Sequence, residues 1–210
     1  TYDNISVSFD RQSGVVYLTI KGPSGDLPVE SESIAALGDK YWPLAVAREL
    51  DDAIIHLSFN ELELGTWVFR SNGGTDRVAE VDEVLIKHKD HWLVNEIIQY
   101  LKRVLKRLDL ASRSLVTLVE PGSCFAGTLL ELVFAADRSY MLDGIFQDSC
   151  EPPAVLRTTE MNFGNLPMCN GLTRLQTRFL NQPEEVKKIH DQTGNDFSAA
   201  EAFESGMVTF

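Results

Sequence analysis

Residues 121–137 read PGSCFAGTLLELVFAAD, and the rest of the chain is arranged about them. The preceding apolar run, LVTLV at 115–119, reads as a buried strand. Beyond the small residues, Leu129, Leu130, Val133, Phe134 and Ala136 recur at helical spacing. Gly122, Ser123, Ala126 and Gly127 therefore stand where a strand hands over to a helix. Backbone N–H groups at a helix start, backed by the positive end of the helix dipole, stabilise an anion or a developing oxyanion. Glu131 lies one turn in, within reach of whatever those amides hold. An amide donor beside a carboxylate suits chemistry next to a polarised carbonyl. The same residue types also suit an ordinary tight strand-to-helix turn with a dipole-favoured Glu.

A chain of 210 residues is long enough for one domain with a proper core, so residues 1–210 read as a single domain. The balance of 44% apolar and 24% charged residues is that of a soluble globular protein. No run approaches the roughly 18 apolar residues of a membrane span. The N-terminus has no signal-peptide pattern, and a start at Thr1 without Met reads as a segment processed or excised from a longer chain. Cys124, Cys150 and Cys169 are odd in number and lack metal-ligand spacing, which fits a reducing cytoplasm. A net charge of −12 argues against nucleic acid or an anionic membrane as partner.

Along the chain, VVYLTI at 15–20 reads as a strand, and apolar spacing from Ile34 to Leu50 reads as helix with a kink or restart at Pro43. AIIHLSF at 53–59 reads as the next strand, and Trp67, Val68 and Phe69 as a short one that ends before Asn72-Gly73-Gly74. A helix is expected over 90–108, with Leu93, Ile97, Leu101, Val104 and Leu105 on one face. Lys102, Arg103, Lys106 and Arg107 on its other face read as a solvated surface, or as a site for a ligand's phosphate or a partner. Residues 143–153 read as a loop, rigid near Glu151 and its two prolines, and 154–159 as a strand. Helices follow over 171–180, 183–190 and 198–205, and the alternation of strands and helices makes the class α/β.

The stretch from Gly122 to Asp137 resembles the first signature of the crotonase (enoyl-CoA hydratase/isomerase) family: small residues, Glu-Leu, an apolar run, then Asp. EMNFGNLPMCNGLTRL at 160–175 is similar to the second signature, and FSAAEAFESGMV at 197–208 to the family's ending. The three occur in the family's order and together span most of the chain. The resemblance implies the crotonase spiral of β-β-α units (ClpP/crotonase-like), two nearly perpendicular sheets wrapped by helices. Family members usually continue into C-terminal helices that help trimerise the protein; these are expected to lie outside this sequence.

The resemblance also implies roles. Glu131 and Glu160 fall on the two active-site glutamates, which together handle a water molecule as base and proton donor. Facing carboxylates push their pKa values apart, so one fold can supply acid and base near neutral pH. The oxyanion hole would take one amide from Thr128, where typical members have Gly, and one from Gly73, with Asn72 as rival. Cys124, Phe125 and Gly127 would line the substrate pocket, Cys124 as a small wall residue or, given a base, a nucleophile. Asn170 and Arg174 would face the acyl group, or else cap a helix and sit on the surface. None of the four histidines has metal-ligand spacing, and no metal or redox cofactor is expected because the acyl-CoA substrate carries its own handle. A homo-oligomer, dimer or trimer, is implied through parts outside this chain.

ELGTWVF at 63–69, EPGSCFAGTLL at 120–130 and ADRSYML at 136–142 resemble one subgroup of the family. That subgroup opens and cleaves the non-aromatic ring of 2,3-epoxybenzoyl-CoA with water, releasing formate and an aldehyde-bearing acyl-CoA. Trp67, Phe69 and Phe125 beside the expected pocket suit a flat ring. Two alternatives stand: an ordinary enoyl-CoA hydratase or isomerase acting on a linear acyl-CoA, and a non-catalytic crotonase-like scaffold domain.

Overall fold

Residues 5–21 open the structure as a hairpin, β1 (Ile5–Asp10) and β2 (Val15–Lys21), paired antiparallel so that Asp10 faces Val15. Gly14 takes the left-handed φ of 67° that closes so short a connection. On β2, Val16, Leu18 and Ile20 alternate inward, the period expected of a half-buried strand. This computed structural model describes residues 2–147 and 151–210. The expected loop at 143–153 is therefore described only in part, and Cys150 lies outside the described residues.

The chain continues through α1 (Ser31–Leu37), a 3-10 turn (Gly38–Lys40) and α2 (Trp42–Asn60). The restart expected at Pro43 occurs, with Pro43 in the first turn of α2, where a missing N–H costs nothing. Residues 53–59, read as a strand, are instead the second half of α2. Val46, Ala47, Leu50, Ala53, Ile54 and Leu57 form one buried stripe at helical spacing. Burial of that stripe outweighs the strand preference of the β-branched pair Ile54-Ile55.

Next come β3 (Thr66–Asn72), α3 (Thr75–Lys87), α4 (Trp92–Asp109), β4 (Ser114–Val119), α5 (Gly127–Ala135) and β5 (Arg138–Met141). Strands β1 to β5 form one sheet in chain order, with β2, β3, β4 and β5 mutually parallel and helices crossing between them. Trp67, Val68 and Phe69 of β3 are buried in succession, as suits a central parallel strand covered on both faces. The expected strand at 154–159 shrinks to β6 (Leu156–Arg157), which pairs antiparallel with β7 (Asp196–Phe197). The second sheet is thus only a two-stranded ribbon.

Between β6 and β7 lie a 3-10 turn (Glu160–Asn162), α6 (Arg174–Arg178) and α7 (Pro183–His190); α8 (Ala199–Glu204) follows β7. Helix α6 begins later than the expected 171 because Thr173 caps it, its side chain accepting from Gln176 N while Gln176 returns a bond to Thr173 N. Helix α5 is unlike the others. Every residue from Gly127 to Phe134 is buried, including Thr128 and Glu131. The helix carrying the expected chemistry is a core helix.

Candidate active site

Strand β4 ends at Val119, and the turn that follows is tied by one of its own side chains and one from β3. Glu120 N donates to Ser123 Oγ at 2.9 Å, and Cys124 N donates to Ser71 Oγ at 2.9 Å. Gly127 then opens α5 at φ 42°. A Cβ on Gly127 would lie 1.7 Å from Asp82 Oδ2 and 2.5 Å from Thr159 Oγ1. Only glycine fits, because the Asp82 carboxylate comes directly against the helix start.

That carboxylate occupies the position expected for the oxyanion. Thr128 N donates to Asp82 Oδ2 at 2.8 Å and Thr128 Oγ1 to Asp82 Oδ1 at 2.6 Å. Thr159 Oγ1 donates to Asp82 Oδ2 at 2.8 Å. Asp82 has no exposed surface. Burial pushes its carboxyl up to about 7, against the hydrogen bonds from Thr128 and Thr159 that favour the charged form. The expectation of a free Thr128 amide is therefore corrected: the amide is held by a side chain of α3. Gly73 is corrected likewise, since its N–H donates to Gly122 O at 3.0 Å. Gly73 also packs against Gly22, whose Cα would lie 3.1 Å from a Cβ at Gly73. A backbone amide has one hydrogen to give, and both expected donors have given theirs.

The two glutamates part company. Glu131 is 1% exposed and forms an ion pair with Arg174 Nη1 at 2.7 Å. Its other oxygen accepts from Asn162 Nδ2 at 2.7 Å. Arg174 is buried too, and its Nη2 meets Asp109 at 2.7 Å. Burial raises the Glu131 carboxyl, while Arg174 and Asn162 pull the other way. Glu160, by contrast, has a side chain 58% exposed, 3.3 Å from His190 Nε2. The expectation that Glu131 and Glu160 face each other is corrected. The 3-10 turn Glu160–Asn162 sends Asn162 inward to Glu131 and leaves Glu160 on the surface.

The expected pocket residues separate in the same way. Cys124 and Phe125 have no exposed surface and Gly127 is buried, so they pack the core and wall no open cavity. Burial raises the Cys124 thiol to about 11, which disfavours the thiolate a nucleophile needs. Trp67 and Phe69 are core residues as well. Asn170 is exposed, its Oδ1 accepting from Leu172 N in a local turn. Among the described residues, no group of three or more His, Cys, Asp or Glu is placed to hold a metal ion. No helix among them is long and apolar enough to cross a membrane.

Asp82, Asn162 and the buried role of Arg174 went unread in the sequence. Asp82 had a signal: it shares a helical stripe with Val78, Val81 and Leu85, all buried, and a lone acid on an apolar stripe requires a partner. Arg174 follows a capping Thr inside the second signature, and nothing in that spacing distinguishes an inward from an outward arginine.

No family model matches the chain. It is 43% identical over 208 residues to a benzoyl-CoA-dihydrodiol lyase of Aromatoleum evansii, a match that covers 99% of this chain and 37% of the relative. The chain thus spans little more than a third of that protein's length. Among solved structures it is similar to Pseudomonas aeruginosa AtuE, with a TM-score of 0.61 at 14% identity over 99% of this chain and 69% of that one. An enoyl-CoA hydratase/isomerase from Xanthobacter autotrophicus Py2 gives a TM-score of 0.61 at 16% identity, covering 99% and 66% of the two chains. An enoyl-CoA hydratase from Bacillus anthracis gives 0.58 at 18%, covering 98% and 69%. In fold the chain is similar to solved enoyl-CoA hydratase/isomerase structures, and over nearly its whole length it is similar to one stretch of a benzoyl-CoA-dihydrodiol lyase.

Proposed function

We propose that this chain is a crotonase-fold part of an enzyme that opens and cleaves the ring of 2,3-epoxybenzoyl-CoA with water, releasing formate and an aldehyde-bearing acyl-CoA. In this reading its own helix-start site is closed and its contribution is structural. The enzyme acts in the cytoplasm on an acyl-CoA that brings its own handle, so no metal or redox cofactor is required. The likeness to the Aromatoleum evansii lyase supports the overall reaction. The single observation that supports the closed site is the Asp82 carboxylate on the Thr128 amide. An oxyanion hole works through donors about 2.7–3.1 Å from the developing charge, aimed at it and unshared. Here the Thr128 N–H already serves the Asp82 side chain and has no hydrogen left to give a developing oxyanion.

A rival reading keeps the carboxylate pair at work. It is favoured by Glu131 standing one turn from the Thr128 amide, linked through Asn162 to the segment that bears Glu160. Turnover of the full-length protein separates the two, read as formate and acyl-CoA products by mass spectrometry. With Glu131→Gln or Glu160→Gln, turnover per folded molecule should stay within about threefold. A loss of the roughly 10²–10⁴-fold that an acid–base step contributes, with folding intact, would restore the pair to catalysis. Hydration of crotonyl-CoA, without turnover of the epoxide, would instead favour an ordinary hydratase.

A further inference from the structure

A hollow of about 610 Å³ lies where the segment after the Glu160–Asn162 turn meets α6 and α7, and none of its lining residues belongs to α5 or to the turn before it. Its volume falls in the range of roughly 300–1,000 Å³ that suits small molecules. The walls are mostly apolar, from Phe163 and Leu172 on one segment to Phe179, Leu180 and Val186 on the helices and their corner. The His190 ring lies against Phe163, with centroids 4.3 Å apart, so two rings stand together in the wall. Asn181 turns the corner between α6 and α7 at φ 65°, a left-handed backbone that asparagine tolerates.

Among the described residues no Asp or Glu lines this hollow, although the chain carries 31 acids against 19 Lys and Arg. Lys187 lines it without an ion-pair partner among those residues, whereas the adjacent Lys188 pairs with Glu185 at 2.8 Å. Gln176 lines it as well, and its Oε1 accepts from Thr173 N at 2.8 Å in the cap of α6. That bond leaves Gln176 Nε2 with two hydrogens and no partner among the described residues. The amide is thus oriented before any ligand arrives, since turning it would break the cap. An ammonium and an amide donor beside aromatic rings complement a flat apolar body that ends in a carboxylate. A cation would be repelled by Lys187, and a plain hydrocarbon would leave both donors without an acceptor.

We propose that this hollow binds a small aromatic monocarboxylate, its ring against Phe163, Leu172 and Phe179 and its carboxylate on Lys187 and Gln176 Nε2. The binding is non-covalent and uses no residue of the helix-start site, so it is independent of whether that site is closed.

Saturation-transfer NMR titrations of the full-length protein with benzoate and with benzamide test it, with circular dichroism as the control for folding. Benzoate should bind about tenfold more tightly than benzamide, because only the acid makes a charge-assisted bond to Lys187. Lys187→Gln should bring benzoate down to the affinity of benzamide and leave benzamide within about twofold. Leu172→Trp, which fills the hollow from its exposed wall, should abolish binding of both. Absence of benzoate binding to the parent protein would overturn the proposal, whether another part of the full-length protein covers the hollow or the hollow takes no ligand. Benzoate affinity unchanged by Lys187→Gln would overturn it too, since the acid would then sit elsewhere. Displacement of benzoate from this site by benzoyl-CoA would assign the hollow to the thioester and overturn it likewise.

Discussion

The two signature carboxylates end in opposite surroundings. Glu131 is sealed in the core, each oxygen engaged, by Arg174 and by Asn162. Glu160 stands in solvent beside His190. Two residues of one 3-10 turn explain the difference, because Asn162 takes the inward place and Glu160 the outward one. A motif preserves which residues are present; the partners they meet decide what those residues do. A buried carboxylate with every acceptor filled holds the fold together, whereas an exposed one contributes little to stability.

The sharpest way to break this contrast is at Arg174. Replacing Arg174 with Met leaves Glu131 and Asp109 as unpaired acids in the core, and loss of one partner of such a buried network costs about 3–5 kcal/mol. Chemical denaturation should register that loss, and a change below about 1 kcal/mol would mean the network is not buried as described. Gly127→Ala comes next, at about 2–3 kcal/mol, since the added methyl must displace Asp82 and accept a left-handed backbone.

The third effect depends on pH. In the native protein the Asp82 carboxyl keeps its proton up to about 7, while in the unfolded chain it ionises near 3.8. The native state therefore binds more protons in that window, and the contribution of Asp82 to stability falls as pH rises from about 4 to 7. Thermal melts from pH 5 to 7 should show a steeper decline in the parent than in Asp82→Asn, by about 2 kcal/mol over the range. Equal slopes would remove Asp82 from its buried place. The smallest effect belongs to Glu160→Gln, expected to shift stability by less than about 0.5 kcal/mol. A larger shift would mean that Glu160 has partners beyond His190.

Much of this fold is legible in the sequence. The turn at 121–127, the strand before it and the helix after it lie where periodicity puts them, as do α4 and α7. Residues 53–59 misled because two adjacent isoleucines prefer a strand locally, while the stripe they continue spans a whole helix. Strands β1 and β5 and helix α3 were not marked, and with α3 went Asp82. The site was legible as a list of residue types and not as a set of partners. Whether Thr128 offers its amide depends on a side chain 46 positions away in sequence, and no local spacing reports that.

Closure of the helix start by Asp82 is tested most directly by hydrogen exchange. Mass spectrometry of peptides covering residues 127–131 of the full-length protein, with and without saturating benzoyl-CoA, reads whether those amides are already held. Protection should be high and the same in both, because the Thr128 N–H is bonded to Asp82 before any ligand arrives. Weak protection that rises only when the thioester is added would contradict closure and mark the Thr128 amide as an oxyanion donor.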